Sequence, residues 1–315
     1  MSAIEQVYEP LAAPDKAQAE ACRIDRLVVD VAAHFRLECT DISIPSGARV
    51  ALVGANGSGK STLIETLVGM RRASVEEAQV LGRPLGDLRR VSALRARLGV
   101  QLQNVFYPRD APVREIVRLH DALYGGDVTG AGEMLDIARL ARRPFGQLSQ
   151  GERQRVHLYV ALAHGAEIIF LDEPGTALDR KYAQRVYGDW LCGLGSTVLM
   201  ATHDAAALEA CTHTLWLKRG QVKRFGRTQE MLKDLLGRFR LEVTLSEGEA
   251  PQQWGAWLEQ SLKPKRIQRR PDSTVLFCDR RPSEEVQKKL HEEAAGFALA
   301  TTSHKDLLSL AAEGE

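Results

Sequence analysis

The chain has 315 residues, 44% of them hydrophobic and 26% charged, with a formal net charge of +1. That profile suits a water-soluble protein of about two domains and excludes a global field for drawing in nucleic acid or a membrane surface. Five scattered cysteines with no C-x-x-C pair exclude a disulfide framework and a zinc site and point to a reducing cytoplasm. No apolar run is long enough to span a bilayer, and no basic leader precedes an apolar core at the N-terminus.

Residues 1–21 are rich in Ala, Glu, Gln and Pro without periodicity and read as a mobile N-terminal extension. Residues 24–32 and 35–44 then predict two strands joined by a tight turn. Val50, Ala51, Leu52 and Val53 form a short apolar strand that runs into Gly54-Ala55-Asn56-Gly57-Ser58-Gly59-Lys60-Ser61-Thr62. Leu63, Ile64, Leu67 and Val68 follow on one side of a helix. A glycine-rich turn between a buried strand and a helix N-terminus is a phosphate-binding loop. Its glycines let backbone N–H groups approach phosphate oxygens, Lys60 brings a full charge to the β- and γ-phosphates, and Ser61 offers a hydroxyl to Mg²⁺. Gly54 to Thr62 are therefore the expected nucleotide-binding residues.

Residues 79–82 read as a short strand and turn, and 98–103 as a buried strand ending near Gln101 or Gln103. A glutamine at the end of a parallel strand can reach Mg²⁺ or an attacking water, but alternation turns both the same way and spacing does not choose between them. Residues 104–158 read as mostly helical. Val113, Ile116, Val117, Leu119 and Leu123 give one helix, Met134, Leu135, Ile137, Ala138 and Leu140 a second, and Val156 to Ala163 the apolar side of a third. That third helix opens at Leu148-Ser149-Gln150-Gly151-Glu152. Ser149 and Glu152 have capping-box spacing, and the same helix tip is a potential anion site.

Residues 168–171 and 197–202 are short apolar runs without alternation, which suits parallel strands covered on both faces. The first ends in Asp172-Glu173 and the second in His203. Carboxyl ends of parallel strands face the ligand crevice, where paired carboxylates need a cation or a reaction to serve. Asp172 is the expected Mg²⁺ ligand, Glu173 the group that polarises the attacking water, and His203 a neighbour of the γ-phosphate. Residues 214–225 predict a closing hairpin. Beyond about residue 232, Phe239, Leu241, Val243 and Leu245 alternate, a helix carries Trp254, Trp257 and Leu258, and strands are expected at 266–270 and 274–279. A polar helix starts at Ser283, a short strand lies near Ala298, and Ser303 caps a last helix. Residues 232–315 thus read as a separate small α/β domain.

These motifs, in this order and spacing from about Arg23 to Met231, resemble the ATP-binding subunit of an ABC transporter. The resemblance implies a P-loop NTPase cassette over residues 22–231. It would have a mostly parallel core sheet, an antiparallel N-terminal β subdomain and a helical subdomain at about 104–158. It makes Gln103 rather than Gln101 the Q-loop residue, four positions after Gly99, and so a catalytic and metal-site residue. Leu148 to Glu152 become the signature, Ala177-Leu178-Asp179 the D-loop and His203 the switch histidine. It further implies a dimer that holds two ATP between subunits. In it Ser149 and Gly151, with Glu152 and Asp179 nearby, approach the triphosphate on the other subunit's Lys60. With no membrane segment here, the driven permease would be a separate polytopic chain, and the subunit would lie on the inner face of the cell membrane.

Three departures stand out. Gln150 and Glu152 replace the usual Gly and Gln of the signature, and an anion near a triphosphate predicts that Glu152 turns away or pairs with Arg153 or Arg155. The loop that usually stacks an aromatic on adenine is short, leaving His34 or Phe35. Thr176-Ala177 replaces the usual Ser-Gly of the D-loop. The C-terminal segment is similar to the tails of exporter subunits that pair with separate permeases, so export is the expected direction. The alternative is an ABC-type ATPase acting on DNA or ribosomes, although such proteins usually carry tandem cassettes or a long coiled coil. No nucleic-acid partner is expected.

Overall fold

A computed structural model describes residues 20–32, 35–103, 105–244 and 251–313. Residues 1–19 of the expected extension, His34, Leu245 and the side chain of Trp254 lie outside the described residues. Glu20 and Ala21 already belong to the first strand.

The strands, in chain order, are β1 (Glu20–Ala32), β2 (Phe35–Pro45), β3 (Arg49–Val53), β4 (Val75–Val80), β5 (Arg83–Pro84), β6 (Leu98–Gln101), β7 (Ile168–Asp172), β8 (Thr197–Ala201), β9 (His213–Lys218), β10 (Gln221–Arg227), β11 (Phe239–Thr244), β12 (Arg266–Arg269), β13 (Ser273–Cys278) and β14 (Gly296–Thr301). The first ten form one sheet in the order β5-β4-β1-β2-β10-β9-β3-β8-β7-β6. β9, β3, β8, β7 and β6 run parallel. β5, β4, β1 and β2 pair antiparallel. The two halves join where β10 meets β2 at a single register pair, Gln221 with Glu38.

The apolar runs explain the parallel half. Every residue of β7 and β8 is buried, as strands covered on both faces require. Successive side chains of β3 serve opposite layers. Val50 and Leu52 pack with Leu63, Ile64 and Leu67 of the helix Lys60–Leu67. Ala51 and Val53 pack on the other side with Val198, Met200 and Leu208. β6 ends at Gln101, two residues earlier than the sequence pattern predicts.

The segment expected to be mostly helical holds the helix Val113–Tyr124, and the helix Gln150–Leu162 begins within it. The second helix expected there is broken. A single turn, Ala131–Met134, is followed by a 3₁₀ turn, Ile137–Leu140, with Asp136 at φ +51° between them. The apolar spacing survives the break, so periodicity alone could not show it.

The second sheet, β12-β13-β11-β14, is antiparallel throughout. One face, with Leu241, Val243, Leu276 and Cys278, is covered by helices Pro251–Leu262 and Glu284–Glu293. The other face presents Val275 and Phe277. They join Leu307, Leu310 and Ala311 of the last helix, His304–Ala312, in the same apolar cluster as Ala51, Val53 and Met200. That helix packs on Ala205–Glu209 and on Thr228–Leu236, and it touches β3 and β9. It is therefore a shared layer between the two sheets. The chain passes residues 231–232 inside the helix Thr228–Leu236. No helix among the described residues is long and apolar enough to cross a membrane.

Candidate functional site

The site grows from the end of β3. Gly54 has φ +150°, and a Cβ there would stand 2.1 Å from the Leu217 carbonyl oxygen, so only glycine fits. The chain turns through Ala55 to Gly59, closed by Ser58 N donating to Ala55 O at 3.1 Å, and enters the helix Lys60–Leu67. The N-cap Gly59 supplies no side-chain cap. The first-turn N–H groups thus lack an intrahelical acceptor at the positive end of the helix dipole, the arrangement that binds an anion.

Lys60 is buried. Its Nζ donates to Gly54 O at 2.8 Å and to Ala55 O at 3.2 Å. Burial holds its pKa below the usual lysine range, against the opposing pull of Glu173 and Asp172. A cation held by two carbonyls at the loop mouth can exchange them for phosphate oxygens.

Asp172 ends β7 and is 3% exposed. Burial raises its pKa, while the Ser61 hydroxyl and Lys60 oppose the rise. Its Oδ1 is buried without a hydrogen-bond partner. An orphaned carboxylate oxygen beside a serine hydroxyl is a hard-oxygen donor set that suits Mg²⁺. Glu173 stands just beyond at φ +55°, a left-handed conformation that a non-glycine residue adopts only at some cost. Its Oε1 lies 2.9 Å from His203 Nε2. Burial raises the Glu173 pKa, Lys60 opposes and Asp172 adds to the rise; burial and then Lys60 lower that of His203.

A cavity of 580 Å³ opens over these groups. Its lining includes Asn56, Gly57, Gly59, Lys60, Ser61, Thr62, Gln103 and Glu173, together with Val31 and Phe35. The two glutamines occupy different surroundings. Gln101 is buried and donates to Asp172 O and Leu102 O at 3.2 Å, whereas Gln103 lies past the strand and reaches the cavity. Phe35 lines the cavity, and His34 lies outside the described residues.

Ser149, Gly151, Glu152 and Asp179 do not line this cavity. Ser149 caps the helix Gln150–Leu162. Its Oγ accepts from Glu152 N at 3.2 Å, and its N–H donates to Glu152 Oε2 at 2.8 Å. Glu152 is paired, but with neither arginine expected. Arg143 Nη1 lies 2.5 Å from Glu152 Oε1, while Arg153 donates to Gly146 O and Arg155 to Leu135 O and Tyr182. Arg143 was missed because it lies nine residues upstream, beyond the 3₁₀ turn Phe145–Gln147 that folds it back. Ala177 sits at φ +62°, so the usual glycine of the D-loop is replaced here by a residue that adopts the left-handed conformation less readily.

Residues 37–176 match the family model for ABC transporters. An ABC transporter ATP-binding protein of Streptomyces avermitilis is 37% identical over 226 residues, which cover 67% of this chain and 84% of that protein. The hemin import ATP-binding protein HmuV of Streptomyces coelicolor is 34% identical over 240 residues, 71% of this chain and 83% of its own. Among solved structures, a bacterial ABC transporter cassette in dimeric form is similar with a TM-score of 0.56 at 25% identity. The similarity covers 66% of this chain and 98% of that one.

Proposed function

The chain belongs to the ABC transporter family as an ATP-binding, ATP-hydrolysing subunit, and from that premise we propose how its residues carry out the cycle and what it drives. The phosphate loop, Gly54 to Thr62, wraps the triphosphate of ATP, with Lys60 on its β- and γ-phosphates. Ser61, Asp172 and Gln103 would hold Mg²⁺, which would supply charge neutralisation on the triphosphate. Glu173 draws the proton of the attacking water, and His203 orients that carboxylate through its 2.9 Å contact. Phe35, which lines the same cavity beside Gly59, lies under the base.

The observation that carries the reading is the coincidence, in one cavity, of an uncapped helix tip, a buried lysine, Gln103 and Glu173, beside the orphaned Asp172 oxygen. The displacement of Ser149, Gly151, Glu152 and Asp179 from that cavity favours a site completed by a second copy. The dimeric form of the similar cassette supports the same arrangement. Ser149 and Gly151 of one copy then meet the γ-phosphate held by the other.

The driven partner is a separate polytopic permease, and the subunit works at the inner face of the membrane. Exposed Phe106, Leu119, Leu123 and Val128, at 59–87% of full exposure, give the helical region an apolar surface for it. Export is the direction that the small α/β tail favours. Import is the second reading, favoured by the similarity to a hemin import protein. Detergent extraction of the tagged full chain should bring down a polytopic membrane protein. Reconstitution of that pair in vesicles should show ATP-dependent movement of substrate, whose direction decides between the readings. Recovery of ribosomes or DNA in place of a permease would overturn the transport reading.

A further inference from the structure

The helix that begins after Ser149 and the segment that follows Glu173 touch at three levels. Gly151 lies so close to the Ala177 carbonyl that an added Cβ would stand 2.7 Å from its oxygen. Gln154 Nε2 donates to Pro174 O at 2.9 Å. At the next residue, one turn beyond Gly151, Arg155 Nη1 donates to the Tyr182 hydroxyl at 2.7 Å. Tyr182 in turn donates to Asp136 Oδ2 at 2.7 Å. A charge-assisted chain, Arg155 to Tyr182 to Asp136, therefore joins three separate pieces of sequence.

Each member has a reason to be held. Arg155 is 7% exposed, and a cation so withdrawn from water needs partners. It finds them in the Leu135 carbonyl, the Tyr182 hydroxyl and the face of the Tyr182 ring, 4.6 Å from its guanidinium carbon. Asp136 stands at φ +51°, where glycine costs nothing and aspartate is strained. Its carboxylate is held below the usual range first by the Tyr182 hydrogen bond. Tyr182 lies in the short helix Arg180–Arg185, whose N-cap Asp179 supplies no side-chain cap. The hydroxyl of Tyr182 thus adds a third anchor to a segment already held through Gly151 and Gln154, and it is the anchor nearest the helix that follows Asp179.

We infer that Tyr182 is a positioning residue for ATP hydrolysis. Clamped between Arg155 and Asp136, its hydroxyl locks the Ala177–Asp179 turn to the helix that starts beyond Ser149. The two surfaces that one copy presents to the other copy's triphosphate then arrive as a single rigid edge. This rests on the proposed two-copy site. A turn free to move on its own would have to be ordered each time the copies close, and that ordering opposes closure. ATP capture by the Lys60 loop does not involve this edge, so the loss falls on turnover and not on binding.

Two variants of the full chain separate positioning from folding. Tyr182→Phe keeps the ring under Arg155 and removes only the hydroxyl. Asp136→Gly removes the carboxylate and relieves the left-handed strain. In each, kcat should fall about five- to tenfold, the scale of a lost charge-assisted hydrogen bond, with KM for MgATP within about twofold of wild type. Asp136→Gly should melt no lower than wild type. The double variant should be no slower than the slower single, because both break the same chain. Wild-type kcat in both singles would overturn the inference. So would a loss in KM instead of kcat, a loss that follows a falling Tm, or two losses that multiply in the double variant. In these cases the wild-type chain still turns over ATP. A wild-type chain with no turnover would instead overturn the ATP reading and this inference together.

Discussion

His203 Nε2 stands 2.9 Å from Glu173 Oε1, and the surroundings move the two groups in opposite directions. Burial, then Lys60, pushes the imidazole below its ordinary value, and burial pushes the carboxyl above its own. The shifts weaken the imidazole's hold on a second proton and make the carboxylate more basic, the direction a general base needs. Glu173→Gln should keep ATP binding and slow hydrolysis by about 10²–10⁴-fold, as loss of a positioned base does. Nucleotide binding and phosphate release measured on the same preparation test this; undiminished release would move the base elsewhere.

Arg143 holds Glu152 at the tip of the Ser149 helix and also donates to Gln147 O at 2.8 Å. Without the arginine, the carboxylate would keep only its bond from Ser149 N and, in the proposed two-copy site, would leave an uncompensated negative charge near the triphosphate. Both side chains are partly exposed, so water and salt screen the effect to about 0.5–1.5 kcal/mol. Arg143→Ala should weaken ATP-driven self-association about three- to tenfold, and adding Glu152→Gln should restore it. Sedimentation in a Glu173→Gln background reads this directly. Equal weakening with and without the glutamine would show that charge is not the cause.

His157 packs against Tyr107 and Phe145, and its Nε2 has no hydrogen-bond partner. Burial, helped by Arg153, pushes its pKa down to about 4 from an ordinary 6.5. The unfolded chain therefore takes up the proton first. The neutral buried ring costs nothing above pH 6.5, and stability drains away as pH falls from there towards 4. Between pH 7 and 5 the difference in unfolding free energy between His157→Phe and wild type should shift by about 2 kcal/mol in favour of the variant. Urea unfolding at the two pH values measures it, and a pH-independent difference would show that the ring is hydrated in the folded chain.

Leu307 is fully buried in a cluster that also holds Ala51 and Val53 of the phosphate-loop strand. Leu307→Ala should cost about 2–5 kcal/mol and lower a single melting transition of the whole chain. Calorimetry that instead shows two transitions, with only one displaced, would mean that residues 232–315 unfold independently of the nucleotide site.

Features set by nearby residues were legible in the sequence. The strand, glycine turn, Lys60 and helix read correctly because each depends on neighbours a few positions away, and the capping box of Ser149 and the helix start at Ser303 follow the same rule. Distant contacts were harder. Asp136 breaks a helix whose apolar spacing runs on unbroken, because its Tyr182 partner lies 46 residues further along the chain. Spacing left Gln101 and Gln103 equivalent until the strand was seen to end between them. The last helix was visible as a helix, but amphipathic spacing does not say which sheet its apolar side will cover.

The seam between β2 and β10 has a consequence for ligand binding. Phe35 belongs to the panel on one side of that one-pair suture, and Lys60 follows the strand on the other. A nucleotide lying along the cavity would span both panels, as a staple spans a fold in paper. The amide protons of Glu38, which ties the suture through Gly220 O, and of Gly220, which ties its turn to Ser58 O of the loop, should then exchange more slowly once the nucleotide is seated. The empty and loaded subunits would differ less in shape than in how firmly the edge of β2 is held against the loop and the Gly220 turn.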